Sequence, residues 1–443
     1  MTTNPEPLLR LRNWSLVRHV PAGGRTILDQ VDLDLAPGSW VAVLGANGSG
    51  KSSLLKYLAS EESPLAETSS IMFQDPDEQI FAASVERELT LGRRGLDVAG
   101  ILREFGLEGL GSMDPRLLSA GQKQRLVLAV ALGGDPRVLL CDEPTALQDS
   151  RQAVWVLDRL KTWLDESQGA LVTATCDRAE AARADWLVVL RDGRIAVQGP
   201  RSELWDSPEV VRLLGDGRPG RAARTPEVRT STEPLLDLQD VGCRFTGPGQ
   251  GFRGASLRVF PGARVGITGS NGCGKSTLLS VCIGARGPDT GTVRLGGRLL
   301  YQGKAAELDH GAAMIAPQFP EYFFTRSVVA REIALDPALA AVHADEFLEA
   351  LGLPADLAAH NPHDLSSGQR RRLALGLVLS SGRSVLLLDE PTAALDRAGR
   401  AMVLDMLARV DPQNAVVVVS HDIEFLTEAG FTVLELGPEG LAG

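Results

Sequence analysis

The chain is predicted to be an α/β protein in which one domain plan is used twice. Three observations carry that prediction. An apolar strand runs into a glycine-rich loop at WVAVLG (Trp40–Gly45) and again at ARVGITG (Ala263–Gly269). A second, continuously apolar strand ends in two acids at VLLCDE (Val138–Glu143) and at SVLLLDE (Ser384–Glu390). A basic, apolar-periodic run opened by LSAGQ (Leu118–Gln122) or LSSGQ (Leu365–Gln369) lies between the two strands in each half. Strands without polar alternation belong to parallel sheets covered on both faces, whereas the basic runs have helical spacing.

The copies are close enough to align. GANGSGKSSL at Gly45–Leu54 recurs as GSNGCGKSTL at Gly269–Leu278, LSAGQKQRL as LSSGQRRRL, and VLLCDEPTA as VLLLDEPTA. The loop lysines 51 and 275 are 224 residues apart, while Ser119 and Ser366 are 247 apart, as are Asp142 and Asp389. Repetition on this scale means two whole domains rather than a solenoid. The extra residues of the second half include PDTGTVRLGGRLLYQGK (Pro288–Lys304), which reads as a hairpin turning at Gly296 and Gly297. Little stands in its place between Leu58 and Ile71, so the first half should have a trimmed β-subdomain. The expected boundaries are 1–215, a linker over 216–234, and 235–443. The linker, DGRPGRAARTPEVRTSTEP, lacks an apolar period and reads as flexible. Its reach of roughly 70 Å would let the halves meet face to face.

Composition bounds the function. At 443 residues the chain exceeds one ordinary core, and 44% hydrophobic with 23% charged residues is globular usage. A net charge of −11 argues against a nucleic-acid polyanion as main partner. The longest apolar runs, such as Leu126–Gly134, are about half the ~20 residues of a spanning helix, and no signal peptide is visible. The five cysteines (141, 176, 243, 273 and 282) read as reduced thiols of a cytosolic protein.

The loops match G-x-x-x-x-G-K-[ST] at Gly45–Ser52 and Gly269–Ser276. Glycine lets the backbone wrap phosphate, so that successive N–H groups and a helix N-terminus face the anion. Gly45, Asn47, Gly48 and Gly50 would form one cradle, and Gly269, Asn271, Gly272 and Gly274 the other. Lys51 and Lys275 would reach the outer phosphates, with Ser52 and Ser276 on Mg²⁺. Asp142 and Asp389 suit a Mg²⁺-linked aspartate, and Glu143 and Glu390 suit a group polarising the attacking water. Each LSxGQ serine reads as a helix N-cap. Nothing in its own half obviously needs a second anion site, which points to the other half's nucleotide.

With these motifs in place the chain resembles a tandem ATP-binding-cassette ATPase over about residues 8–214 and 235–443. That resemblance implies two Mg²⁺-ATP molecules held between halves, each gripped by one phosphate loop and the opposite signature. Site one would join Lys51, Ser52, Ser53, Gln74, Asp142 and Glu143 to Ser366, Gly368 and Gln369. Site two would join Lys275, Ser276, Thr277, Gln318, Asp389 and Glu390 to Ser119, Gly121 and Gln122. Gln74 and Gln318 would also approach the metal. ATP would act as glue, and hydrolysis would release the halves, which are expected to pair within one chain.

FQDPDEQIFAASVERELTLG (from Phe73) and PQFPEYFFTRSVVAREIAL (from Pro317) further resemble the glutamine-loop region of energy-coupling-factor ATPases, the motors of vitamin and cobalt or nickel importers. The implied partners are a transmembrane coupling subunit and a substrate-binding subunit, at the cytoplasmic face of the membrane. Asp77 and Glu321 would meet a basic residue of the coupling subunit; solvated turn acids are the plain alternative.

The halves depart from the family unequally. His421 fits the histidine that bonds the γ-phosphate, but the first half has Cys176, a weak donor. Phe245 fits the adenine-stacking aromatic, whereas Arg18 stands near that position in the first half. Gln148 replaces the counterpart of Leu395. Site two should therefore dominate turnover, through Glu390 and His421, while site one holds nucleotide as a slow clamp. A soluble tandem-cassette translation factor is the alternative. Such factors usually carry a long charged helical linker, absent from this sequence. A chromosome-associated ATPase would want a coiled coil or zinc cysteines.

Overall fold

The computed structural model describes residues 6–20, 23–93, 95–146, 148–215, 233–244, 251–302, 311–393 and 395–442. The chain divides into two compact units, one built on each half.

In the first half β1 (Leu9–Val20) and β2 (Gly23–Leu35) form an antiparallel pair. The main sheet comprises β3 (Ser39–Leu44), β4 (Ser69–Met72), β5 (Val138–Asp142), β6 (Ala170–Thr175), β7 (Trp186–Arg191) and β8 (Arg194–Pro200). Its order is β4-β5-β6-β3-β7-β8, with every pairing parallel except β7 to β8. Both faces are covered, as the unbroken apolar strands predicted. Trp40, Ala42, Leu44, Leu139 and Cys141 enter one core, while Val41, Val43, Val138 and Leu140 enter the other. Each large aliphatic side chain so buried contributes roughly 1.5–3 kcal/mol.

The second half repeats the plan. β9 (Leu236–Cys243), β10 (Phe252–Val259), β12 (Thr290–Leu295) and β13 (Arg298–Gln302) form an antiparallel sheet in the order β10-β9-β12-β13. β12 and β13 are the hairpin expected around Gly296 and Gly297. Its absence from the first half leaves the two-stranded β1–β2 ribbon, so the trimmed subdomain is borne out. The main sheet, β14-β15-β16-β11-β17-β18, is built from β11 (Arg264–Thr268), β14 (Ala313–Ala316), β15 (Val385–Asp389), β16 (Ala415–Val419), β17 (Thr432–Gly437) and β18 (Gly440–Ala442). A helical layer closes its own core around Phe324, Val329, Ile333, Leu348 and Leu373.

This order positions the chemistry. β3 lies between β6 and β7, and β5 lies beside β6, so the carboxyl ends of β3, β5 and β6 are neighbours. Those ends carry the phosphate loop, the two acids and Cys176. β11, β15 and β16 do the same for Lys275, Asp389, Glu390 and His421. Ligands bind at such strand ends in open α/β sheets.

Candidate functional site

The glycines of the phosphate loops are forced by geometry. Gly50 has φ 105°, and a Cβ there would lie 2.8 Å from Leu28 Cδ2. A Cβ on Gly45 would come within 2.6 Å of the Leu190 carbonyl. The helices that follow, Lys51–Leu58 and Lys275–Cys282, begin after left-handed glycines with no side-chain cap. With no N-cap side chain in the way, these helix N-termini suit an anion. Lys51 donates to Gly45 O at 2.6 Å and Lys275 to Gly269 O at 2.7 Å, both buried inside their loops.

Beside each loop sit the acids. Ser52 lies beside Asp142 and Ser276 beside Asp389, where each hydroxyl favours the charged carboxylate. Burial pushes both carboxyls up, that of Asp389 to about 6. Asp389 Oδ1 is buried without a hydrogen-bond partner. A serine hydroxyl, one carboxylate and a lysine make too sparse a set for an all-protein metal cage, and no cluster of three metal-ligating residues occurs among the described residues. They suit Mg²⁺, which keeps oxygens from phosphate and water in its shell. The residues present thus fit Mg²⁺-ATP. Lys51 and Lys275 would hold phosphate, and Ser52 with Asp142 and Ser276 with Asp389 would hold the metal, whose charge neutralises phosphate oxygens when bound.

Glu143 and Glu390 share an unusual backbone, with φ of 49° and 48°. Their side-chain partners differ. Gln74 Nε2 donates to Glu143 Oε2 at 2.9 Å. Glu390 Oε1 instead lies 3.0 Å from His421 Nε2. That is ion-pair distance without aligned hydrogen bonding, since Oε1 accepts no hydrogen bond. The His421 N–H reaches Glu390 Oε2 at 3.4 Å. Cys176 turns to the phosphate loop, its thiol 3.6 Å from Gly45 O. Burial holds that thiol neutral, with its pKa pushed up to about 11. Phe245 lies outside the described residues, and Arg18 is exposed on β1.

The signature serines cap their helices as expected, each in a reciprocal capping box. Ser119 Oγ accepts from Gln122 N at 3.3 Å while Gln122 Oε1 accepts from Ser119 N at 2.9 Å. Ser366 and Gln369 repeat this at 3.3 and 3.0 Å. Both glutamine side chains are therefore engaged in the cap. Gly121 and Gly368 lie in those first turns. Gln318 follows β14 as Gln74 follows β4, and its carbonyl accepts from Arg371 at 3.1 Å.

Asp77 and Glu321 occupy matching 3₁₀ turns, Pro76–Glu78 and Pro320–Tyr322. Asp77 is half-exposed and paired with Lys123 at 2.7 Å. Two carboxylates missed in the sequence hold the loops that follow. Glu88 accepts from the N–H of Phe81 and Ala82 at 2.9 and 2.6 Å, and Glu332 from Thr325 and Arg326 at the same distances. The Arg-Glu dipeptide repeated at 87–88 and 331–332 was the signal for them.

The chain matches the ABC transporter family over residues 28–146 and 252–393. It belongs to that family. Members bind ATP with Mg²⁺ and hydrolyse it, in keeping with both sites. An uncharacterized ABC transporter ATP-binding protein of Mycobacterium tuberculosis is 31% identical over a 435-residue alignment that covers 92% of this chain and 59% of that protein. The chain therefore spans about three-fifths of that relative's length. The putative HMP/thiamine import ATP-binding protein YkoD of Bacillus subtilis (strain 168) is 27% identical, across 94% of this chain and 88% of the relative. The archaeal ribosome recycling factor aABCE1, solved with the stalk protein aP1, superposes with TM-score 0.65 at 20% identity, covering 96% of this chain and 90% of that one. A ribosome-bound archaeal Pelota and ABCE1 structure gives 0.67 at 21%, covering 93% and 75%. At such identities these likenesses show the tandem-cassette fold alone.

Proposed function

We propose that this ATPase is the motor subunit of an energy-coupling-factor-type importer, docked at the cytoplasmic face of the membrane to a coupling subunit and a substrate-binding subunit. The observation that carries the reading is the pair of acid-bearing proline turns. Each lies close to an exposed aromatic, Phe81 at 77% and Tyr322 at 78% exposure, in a segment pinned by a buried glutamate. Exposed aromatics beside carboxylates fit a basic, apolar coupling helix. The import function named for the Bacillus relative supports the same direction. No helix among the described residues is long and apolar enough to cross a membrane, so the transport path would belong to the partners.

Asp77→Arg together with Glu321→Arg should leave ATP affinity within about twofold and abolish co-purification with the membrane subunits. Normal assembly by the double variant would overturn the reading. The translation-factor alternative rests on fold likeness, and co-purification with ribosomal RNA would favour it. The halves are further proposed to pair within one chain. Light scattering of Glu390→Gln with ATP should then show a monomer.

A further inference from the structure

The first half contains a buried polar bracket absent from the nucleotide chemistry just described. Gln148 lies in the turn that follows Glu143, its backbone N–H donating to Thr145 O at 3.1 Å. Its side-chain Nε2 donates to Gly121 O at 3.2 Å and to Gln124 Oε1 at 2.7 Å. Gln124 Nε2 in turn reaches Glu143 O at 3.4 Å. Gln124 is 1% exposed and Gln148 5%, so neither bond competes with bulk water. Gln148 Oε1 is left buried without a partner, a cost that a leucine of similar volume would not incur. The second half, with Leu395 at the matching position, ties its helix differently. Arg371 donates to Glu390 O at 3.0 Å, to Ala393 O and to Gln318 O, and none of these is a signature carbonyl.

We propose that Gln148 is a positioning residue that links the turn carrying Glu143 to the signature turn Ser119–Gln122 of the same half. Gln148 is thus a connection rather than a mark of decay. It bonds the carbonyl of the signature glycine from the loop that must move when Glu143 moves. Occupancy of the Lys51 loop is then reported to the signature stretch through Gln148, with Gln124 as the second strut. The second half joins its acid loop to the helix through Arg371, which bonds the carbonyls of Glu390, Ala393 and Gln318. The inference is independent of whether the partner is a membrane subunit or a ribosome.

The test is amide hydrogen exchange in the full chain carrying Lys275→Ala, which silences the other phosphate loop. Mg²⁺-ATP should slow exchange in the peptide 118–126 by roughly tenfold. Adding Gln148→Leu should remove most of that slowing while ATP affinity stays within about twofold. Gln124→Arg with Gln148→Leu, the pair native to the second half, guards against a folding defect and should also fail to slow exchange. In the chain with Lys275 intact, Gln148→Leu should lower kcat about tenfold with KM nearly unchanged. Slowing that survives Gln148→Leu, or a parent chain that binds ATP without slowing, would overturn the proposal.

Discussion

Glu143 and Glu390 stand at the ends of equivalent strands, in the same left-handed backbone, yet one is held by an amide and the other faces an imidazole. The backbone is set by the sheet and the proline turn that follows, so duplication carried it into both halves. The side-chain wiring is set by what the neighbouring strand ends present. At the end of β16 the sequence presents His421, whose two ring nitrogens can serve as hydrogen-bond donor or acceptor. At the end of β6 it presents Cys176, whose partly buried thiol stays neutral and bonds the phosphate loop. Gln74 then holds Glu143. A carboxylate facing an imidazole has a neighbour able to donate or accept, whereas one bonded to an amide N–H meets a donor alone. The comparison teaches that a strand-end acid with no histidine beside it can still be held in place, because a nearby glutamine donates to it.

The strongest way to break that comparison is steady-state ATPase activity of the two acid variants. Glu390→Gln should lower kcat by ~10³, and Glu143→Gln should stay within about twofold. Equal losses would end the asymmetry. The next effect in size concerns the strand-end residues. His421→Ala should cost ~10²-fold, whereas Cys176→Ala should change little. Cys176→His, made in the Glu390→Gln background, should raise the residual rate about tenfold. A fall or no change would show that Glu143 cannot use a histidine at that position.

Stability sharpens the comparison further. Asp389 has its folded pKa near 6, above its ordinary 3.8, so the folded protein binds this proton more tightly than the unfolded chain. Its contribution is fully present below pH ~4 and is lost as pH rises through ~6, about 3 kcal/mol in all. Without Mg²⁺ and nucleotide, Asp389→Asn should therefore raise the denaturation midpoint of the second half at pH 7 by about 2 kcal/mol equivalent and leave it unchanged near pH 4. Added Mg²⁺-ATP should stabilise the parent and not the variant. The smallest expected effect is chemical. Because the Cys176 thiol ionises near pH 11, its alkylation, followed by peptide mass spectrometry, should keep accelerating about tenfold per pH unit from 8 to 10. A plateau near pH 8 would place a thiolate at site one and undo the assignment of a neutral residue.

The sequence by itself determined the features that rest on local rules. Glycines at the left-handed positions of both loops, unbroken apolar strands ending in acids, serine caps with a glutamine three residues on, and the missing hairpin between Leu58 and Ile71 were all legible in the order of residues. Periodicity, turn stereochemistry and capping act over a few residues, and a duplicated motif states each of them twice. Only the tertiary structure decided which side chain completes each acid. Gln74 and Glu143 are 69 residues apart, and Gln124 and Gln148 meet across 24. Glu88 caps a loop that no helical or strand period marks. Those contacts depend on strand order and on which polar atoms burial leaves in need of a partner. A lone Gln148 therefore looked like decay in sequence, and in the folded unit it is a buried strut between the acid loop and the signature turn.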